Sequence, residues 1–266
     1  MSREARTILI TGAGSGIGRD AAFALARRGH RVIAATLTQA QADALQGDCS
    51  AQGVAMQTLK MDITLPEDRA QILDLPLDVL LNNAGVGESG SLAEVGMQRV
   101  RAAFEVNLFA TLELTQLALR GMIARRRGTV LFVSSIAGRI PMPFLMPYSM
   151  TKFALSAAGA GLRAELDQLR CNVHVALIEP GAIHTGFNQA MTERKYAWMD
   201  ASSYFHAQAA QMRARERRVF ALLEARDTRA IVAQIVRACE ARRPKLRYVA
   251  PWAQGLMVRL ARMLGV

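Results

Sequence analysis

Thr7-Ile-Leu-Ile-Thr11 runs directly into Gly12-Ala-Gly-Ser-Gly-Ile-Gly18, and a helical pattern over 19–28 follows, closed by Gly29. A strand, a glycine-rich turn and a helix, in that order, build a nucleotide site. Gly12 permits the tight turn. Gly16 lets the backbone approach a pyrophosphate at the helix N-terminus, where unpaired N–H groups and the helix dipole favour an anion, and Gly18 allows the helix to pack closely on the sheet. The spacing is GxxxGxG, with Arg rather than Gly at position 19.

Outward from this turn, short apolar segments alternate with longer helical patterns. Candidate strands fall at 7–11, 31–36, 55–61, 78–82, 128–134, 172–178 and 247–249. That alternation is the βαβ rhythm of a parallel sheet covered on both faces. No fixed-period repeat, low-complexity tract or Pro/Gly/Ser linker divides the chain. The expectation is one α/β domain over 1–266, a Rossmann fold with a doubly wound parallel sheet of about seven strands. Residues 186–225, which carry Phe187, Met191, Trp198 and Met199, have the length and apolar content of a substrate lid, and 204–225 reads as one long helix.

Of the 266 residues 51% are apolar and 21% charged, which excludes a disordered chain. Cys49, Cys171 and Cys239 form neither a CxxC pair nor an even set, so a disulfide scaffold and a zinc ribbon drop out and a reducing compartment suits the thiols. The polar start at 2–6 shows no signal-peptide core, and no stretch of 18 uncharged apolar residues occurs, so a cytoplasmic location is expected. The net charge of +11 is uneven, with +9 carried by 186–266 and +2 by 1–185. Such asymmetry fits either an anionic partner or a solvated arginine-rich face, since 29 of the 33 cations are Arg. No nucleic-acid-binding motif accompanies it, and nucleic acid is not expected.

Dinucleotide sites of this kind use an acid at the end of the second strand to bind the ribose 2′-OH of NAD. Here that place reads Ala34-Ala-Thr-Leu-Thr-Gln39, with no acid before Asp43. An uncharged, hydroxyl-bearing end does not repel a 2′-phosphate, although no Arg or Lys grips one; NAD(P) is expected, with a tilt towards NADP.

Polar residues also mark the ends of other elements. Asp62 follows the third candidate strand, and Asn82-Asn83-Ala84-Gly85 closes the fourth. Asn107 interrupts an apolar helical run at a cost in propensity, so it holds either a water or backbone carbonyl, or an interhelical contact. Ser134-Ser135 ends the fifth strand, Tyr148 follows Ser135 by thirteen residues, and Lys152 lies four beyond, on the same helical face. A nearby ammonium stabilises a phenolate and lowers its pKa from about 10. General acid–base catalysis then becomes effective near neutrality, while a serine hydroxyl across the cleft hydrogen-bonds the substrate oxygen. His30, His174, His184 and His206 share no metal-ligand spacing, and no metal is expected.

TGAGSGIG at 11–18, NNAG at 82–85, Asn107 within VNLFA, SSIAG at 134–138, YSMTK at 148–152 and PGAIHT at 180–185 together resemble the short-chain dehydrogenase/reductase family in its order and spacing, over about the first 185 residues. The resemblance implies hydride transfer between the nicotinamide and a carbonyl or carbinol carbon. It makes Tyr148 the general acid/base, Lys152 its electrostatic partner and holder of the nicotinamide ribose, and Ser135 the residue that orients the substrate oxygen. Asn107 would hold a water linking Lys152 to solvent. Gly12, Ser15, Gly16, Ile17 and Gly18 would wrap the pyrophosphate, Asp62 and Ile63 the adenine, Asn83, Ala84 and Gly85 the adenosine ribose side, and Pro180, Gly181, Ile183 and Thr185 the nicotinamide. Thr36 and Leu37 stand at the cofactor-selecting positions and match neither the acidic nor the basic version. A homo-oligomer, dimer or tetramer, through the helices containing Asn107 and Tyr148 is also implied.

Loops 86–92 and 139–147 and the lid are apolar and methionine-rich, which suits a bulky hydrophobic ligand. Residues 251–266 form a candidate cationic amphipathic helix, and resemble the ends of family members that act on steroids, retinoids and long-chain carbonyls. A contact with a membrane surface or an acidic carrier is the corresponding partner expectation. The expected function is an NAD(P)-dependent oxidoreductase of hydrophobic alcohols or ketones. The alternatives are a 3-oxoacyl-carrier reductase and, from another class, a nucleotide-sensing regulatory protein, against which the complete Ser135, Tyr148, Lys152 set stands.

Overall fold

The computed structural model describes residues 4–265; the expectations that touch 1–3 and 266 lie outside the described residues. Strands β1 (Thr7–Ile10), β2 (Arg31–Thr36), β3 (Gln57–Lys60), β4 (Val79–Asn82), β5 (Gly128–Val133), β6 (Val173–Pro180) and β7 (Arg247–Ala250) form one sheet in the order β3-β2-β1-β4-β5-β6-β7. Every neighbouring pair is parallel. The helices are α1 (Gly16–Ala26), α2 (Gln39–Gln52), α3 (Pro66–Ala70), α4 (Met97–Phe104), α5 (Thr111–Ala124), α6 (Met146–Leu169), α7 (Phe187–Tyr196), α8 (Ala209–Leu223), α9 (Arg229–Glu240) and α10 (Trp252–Met263).

β4 and β5 are buried at every position, which is why VLLN and GTVLFV read as apolar runs rather than as alternations. Successive side chains still go to opposite faces. Ile8, Ile10, Leu81 and Leu131 pack with Ala22 and Leu25 of α1 and with Ile231 and Ile235 of α9. Leu9, Leu80, Val130 and Phe132 pack on the other side with Leu114 and Met122 of α5 and Leu155 of α6. Strand order reverses beside β1, between β2 and β4, and in open sheets of this kind ligands bind at the carboxyl ends of the strands at that point.

Several boundaries differ from the sequence reading. β3 is confined to Gln57–Lys60, β6 runs on to Pro180 where it pairs with Ala250 of β7, and α1 begins at Gly16. Residues 204–225 are not one helix, because a 3₁₀ turn at His206–Gln208 precedes α8. The cause is a polar staple: the Glu94 carboxylate accepts from Ser203 Oγ at 2.8 Å and Tyr204 N at 2.9 Å, while Ser203 Oγ accepts from Phe205 N. Those bonds hold the backbone in a turn that competes with the helix. Between α4 and α5, Glu105–Ala110 forms a π-helical turn around Asn107, the residue whose polarity broke the apolar pattern.

Candidate active site

The β1–α1 turn is knitted to the end of β4. Thr11 Oγ1 accepts the N–H groups of Asn83 and Ala84, both at 3.0 Å, and Asn83 Nδ2 donates to the carbonyls of Thr11 at 2.9 Å and Gly12 at 3.0 Å. A Cβ on Gly18 would lie 2.5 Å from the Gly12 oxygen and nearer still to the Asn83 amide, and Gly12 has φ +63°. Asn83 therefore fixes the turn as well as lining the cleft. Ser15 at the head of α1 makes no side-chain cap, and the first turn holds no acid. Its N–H groups remain available to an anion, which is the requirement of a pyrophosphate.

Along the cleft from this turn lie Asp62 and Ile63, with Asp62 Oδ1 accepting from Thr64 N at 2.9 Å and Thr64 Oγ1 at 2.7 Å. Thr36 departs from expectation. It is buried and its hydroxyl donates to the Thr38 carbonyl, so the cleft wall there is made by Leu37 and Gln41 instead. Gln41 escaped the sequence reading; its place at the third position of a Thr38 capping box was the available signal.

Ser135, Tyr148 and Lys152 converge on a cleft of about 860 Å³ that Ile17, Ala84, Gly85, Pro180, Gly181, Ile183 and Thr185 also line. Ser134 also borders the cleft, but it is buried and its hydroxyl is bonded to Ser156 Oγ at 2.7 Å and to the Lys152 carbonyl, so the hydroxyl is already engaged within the fold. Ser135 accepts from Ala137 N at 3.1 Å, which caps the 3₁₀ turn Ile136–Gly138 and aims the hydroxyl. Tyr148 and Lys152 are both buried, one helical turn apart, with Nζ 5.6 Å from the centre of the phenol ring.

Burial raises the Tyr148 phenol above its ordinary value, and a hydrogen bond with Ser135 draws it part of the way back. Burial pushes the Lys152 ammonium down to about 8. The expected lowering of the phenol by the lysine is thus not what this structure shows. Desolvation acts on both groups, and Nζ is committed to the Val133 carbonyl at 2.8 Å rather than to the phenol oxygen. Ser135 is the group that favours the phenolate.

Asn107 does not line the cleft. Its Oδ1 accepts from Val86 N at 2.8 Å, and its Nδ2 donates to Val86 O at 2.9 Å and Thr151 Oγ1 at 3.0 Å. Both amide hydrogens are thus engaged in joining the β4 loop to α6. A Cβ on Gly85 would lie 3.1 Å from Asn107 Oδ1 and 3.6 Å from Lys152 Nζ, so the amide backs the lysine across that glycine.

The lid consists of α7 and α8. Phe187 meets the Tyr148 ring at 5.8 Å, and Met191 packs with Tyr148 and Ala137. Ser89 Oγ donates to the Met191 carbonyl at 2.5 Å and Arg194 to the Gly87 carbonyl at 3.1 Å, which fastens α7 to the loop after β4. Buried Lys195 pairs with Glu216 at 2.7 Å and Tyr196 donates to the same carboxylate, tying α7 to α8. Val219, Phe220 and Leu223 of α8 and Gln254 and Met257 of α10 also line the cleft; the sequence reading missed them, although helical spacing within 204–225 carried the signal for the three α8 residues.

The anion-ready turn, the uncharged slot at Leu37 and Gln41 and the buried Tyr–Lys–Ser set suit a nicotinamide dinucleotide. Comparison with known proteins agrees. A family model described as short chain dehydrogenase matches residues 6–196. A very-long-chain 3-oxoacyl-CoA reductase of Phaeosphaeria nodorum is 34% identical over 192 residues, covering 68% of this chain and 56% of that protein. Retinol dehydrogenase 8 of Homo sapiens is 32% identical over 194 residues, covering 70% and 62%. The matched region thus amounts to less than two thirds of the length of these two relatives. A crystal structure of a short-chain dehydrogenase from Streptomyces avermitilis aligns with a TM-score of 0.78 at 25% identity, covering 98% of this chain and 94% of that one.

Proposed function

The chain belongs to the short-chain dehydrogenase family, and on that premise we propose that it is an NAD(P)-dependent oxidoreductase acting on a hydrophobic alcohol or ketone such as a steroid, retinoid or long-chain carbonyl compound. The observation that carries this reading is the complete Ser135, Tyr148, Lys152 set converging in an apolar cleft beside an uncapped glycine-turn helix. A bound nicotinamide supplies or accepts the hydride. Tyr148 holds the proton exchanged with the substrate oxygen, Ser135 orients that oxygen and favours the phenolate, and the buried Lys152 sits one turn away with a pKa of about 8. The N–H groups at the head of α1 bind the pyrophosphate.

Phe187, Met191, Met142, Leu145 and Phe220 around the cleft support a bulky apolar substrate. The slot at Leu37 and Gln41 carries no carboxylate to repel a 2′-phosphate, which supports NADP. Exposed Phe109 beside α5, with Phe153, Ala157 and Gly161 along one face of α6, supports a homo-oligomer through these helices. The three buried free thiols fit a cytoplasmic setting. A second reading, reduction of a 3-oxoacyl chain on an acidic carrier, draws on the excess positive charge of residues 186–266 and on the name of the Phaeosphaeria relative.

The test is a fluorescence titration with NADPH and NADH, followed by turnover of a panel of hydrophobic ketones with Tyr148→Phe as control. That substitution is expected to lower kcat by roughly 10²–10⁴-fold and to leave nucleotide binding intact. Nucleotide binding without turnover of any ketone or 3-oxoacyl substrate would favour the sensing protein, and absence of nucleotide binding would refute the proposal.

A further inference from the structure

The mouth of the cleft is framed by α8 and α10, which Gln254 joins by donating to the Leu223 carbonyl at 2.7 Å. Val219, Leu223 and Met257 line the cleft, and their exposed fractions are 43%, 48% and 45%. α10 seats itself through Gly255 and Val258, where a Cβ on Gly255 would lie 2.7 Å from Val249. Its opposite side presents Trp252, Leu256, Leu260 and Met263, spaced by four, four and three residues, so they form one stripe along the helix. Trp252 is 76% and Met263 82% exposed, and Leu222 at the end of α8 is 83% exposed. Single exposed apolar residues need no explanation, but a contiguous group of this kind does.

The charge on α10 itself has one sign. α10 carries Arg259 and Arg262, both exposed, and no acid. The lone acid of α8, Glu216, turns inward to Lys195 and Tyr196; Arg213 and Arg217 pair with Glu193 of α7, and Arg215 and Arg218 are exposed. A second copy of the chain meeting this face about a two-fold axis would set arginines against arginines. An acidic carrier would satisfy the arginines and leave the protruding tryptophan, leucines and methionine uncovered. An anionic bilayer satisfies both, because its interface takes up aromatic and aliphatic side chains and its headgroups attract cations.

We infer that the α8–α10 face docks on an anionic membrane surface and opens the cleft onto it, so that the substrate passes between bilayer and cleft along apolar side chains. This deepens the reading of a hydrophobic substrate and rests on it.

The test uses the full chain and sedimentation with vesicles of phosphatidylcholine alone or mixed with phosphatidylglycerol, read without turnover. Binding to the mixed vesicles is expected, weakening as salt shortens the screening length, with roughly tenfold or weaker binding to phosphatidylcholine alone. Arg259→Glu with Arg262→Glu should cost a similar factor, and Leu256→Ser with Leu260→Ser should abolish binding while the melting temperature and nucleotide affinity stay unchanged. Trp252 fluorescence should be quenched by brominated lipid. No binding to anionic vesicles, or binding indifferent to these substitutions, overturns the inference. So does a dimer that Leu260→Ser dissociates, or preferential capture of an acidic acyl carrier that the arginine reversals abolish. Loss of vesicle binding leaves the oxidoreductase reading standing, whereas vesicle binding without turnover of any carbonyl removes that reading and, with it, the passage of substrate, and leaves only the docking.

Discussion

Nζ of Lys152 donates to the carbonyl oxygen of Val133, the last residue of β5, at 2.8 Å. The bond ties the middle of the sheet to α6 and keeps a cation where burial opposes charge. The lysine has a pKa of about 8 in the fold against an ordinary 10.5. Between those pH values the unfolded chain binds the additional proton, so this group's contribution to stability rises with pH through the window and is least favourable below it. At about 1.36 kcal/mol per unit, the change across the window is roughly 3 kcal/mol. Urea midpoints of the native chain and Lys152→Met, compared from pH 7 to 10.5, should diverge in favour of the native chain as pH rises. A difference that ignores pH would contradict the burial argument.

Gly18 and Gly14 stand in one turn yet meet different surroundings. A Cβ at 18 would strike the Gly12 carbonyl and the Asn83 amide that locks the turn, whereas one at 14 would rest 3.5 Å from the Gln41 side chain. Gly18→Ala should destabilise by about 1–3 kcal/mol and weaken nucleotide binding at least tenfold. Gly14→Ala should change stability by less than about 0.5 kcal/mol. Thermal melts and nucleotide titrations of the two variants decide this, and equal effects would mean that close packing at Gly18 is not what the turn requires.

Leu37 is 54% exposed at the cofactor slot, and its N–H is bound by Gln41 Oε1 at 3.1 Å. Leu37→Asp should repel a 2′-phosphate and move the preference towards NADH, and Leu37→Arg should tighten NADPH by roughly tenfold through a charge-assisted contact. Dissociation constants for both nucleotides measure it; a preference indifferent to both substitutions would put the 2′ position elsewhere.

Gly87 is the notch that receives the lid. An added Cβ would lie 2.7 Å from both Cβ and Cγ of Met191, too near the backbone of α7 for a rotamer change to relieve. Gly87→Ala should displace α7, raise KM for bulky ketones several-fold and leave nucleotide affinity unchanged. Steady-state kinetics with ketones of increasing size would show it, and an unchanged KM would mean that the lid seats itself by other contacts.

The parallel sheet and the convergence of Ser135, Tyr148 and Lys152 were legible because each rests on local order: apolar runs with terminal glycine or asparagine, and a four-residue helical spacing. What the sequence did not disclose depends on partners distant along the chain. The turn at 203–206 follows from Glu94, more than a hundred residues earlier, and the seating of Thr36 inward leaves the slot to Gln41. The direction of the Tyr148 shift was misread for the same reason. Spacing places Lys152 beside the phenol, but only the fold shows the ammonium committed to Val133 and both groups stripped of water.

α1 begins with its first N–H groups uncapped by Ser15 and with no acid in its opening turn. A dinucleotide bound there does for the helix what a capping side chain does elsewhere, so ligand and fold share one free energy. Occupancy at a hundred times Kd adds about 2.7 kcal/mol to the folded state. The lifetime of the chain in a cell would then follow the nucleotide pool, and newly made protein would be most exposed to proteolysis when that pool is depleted.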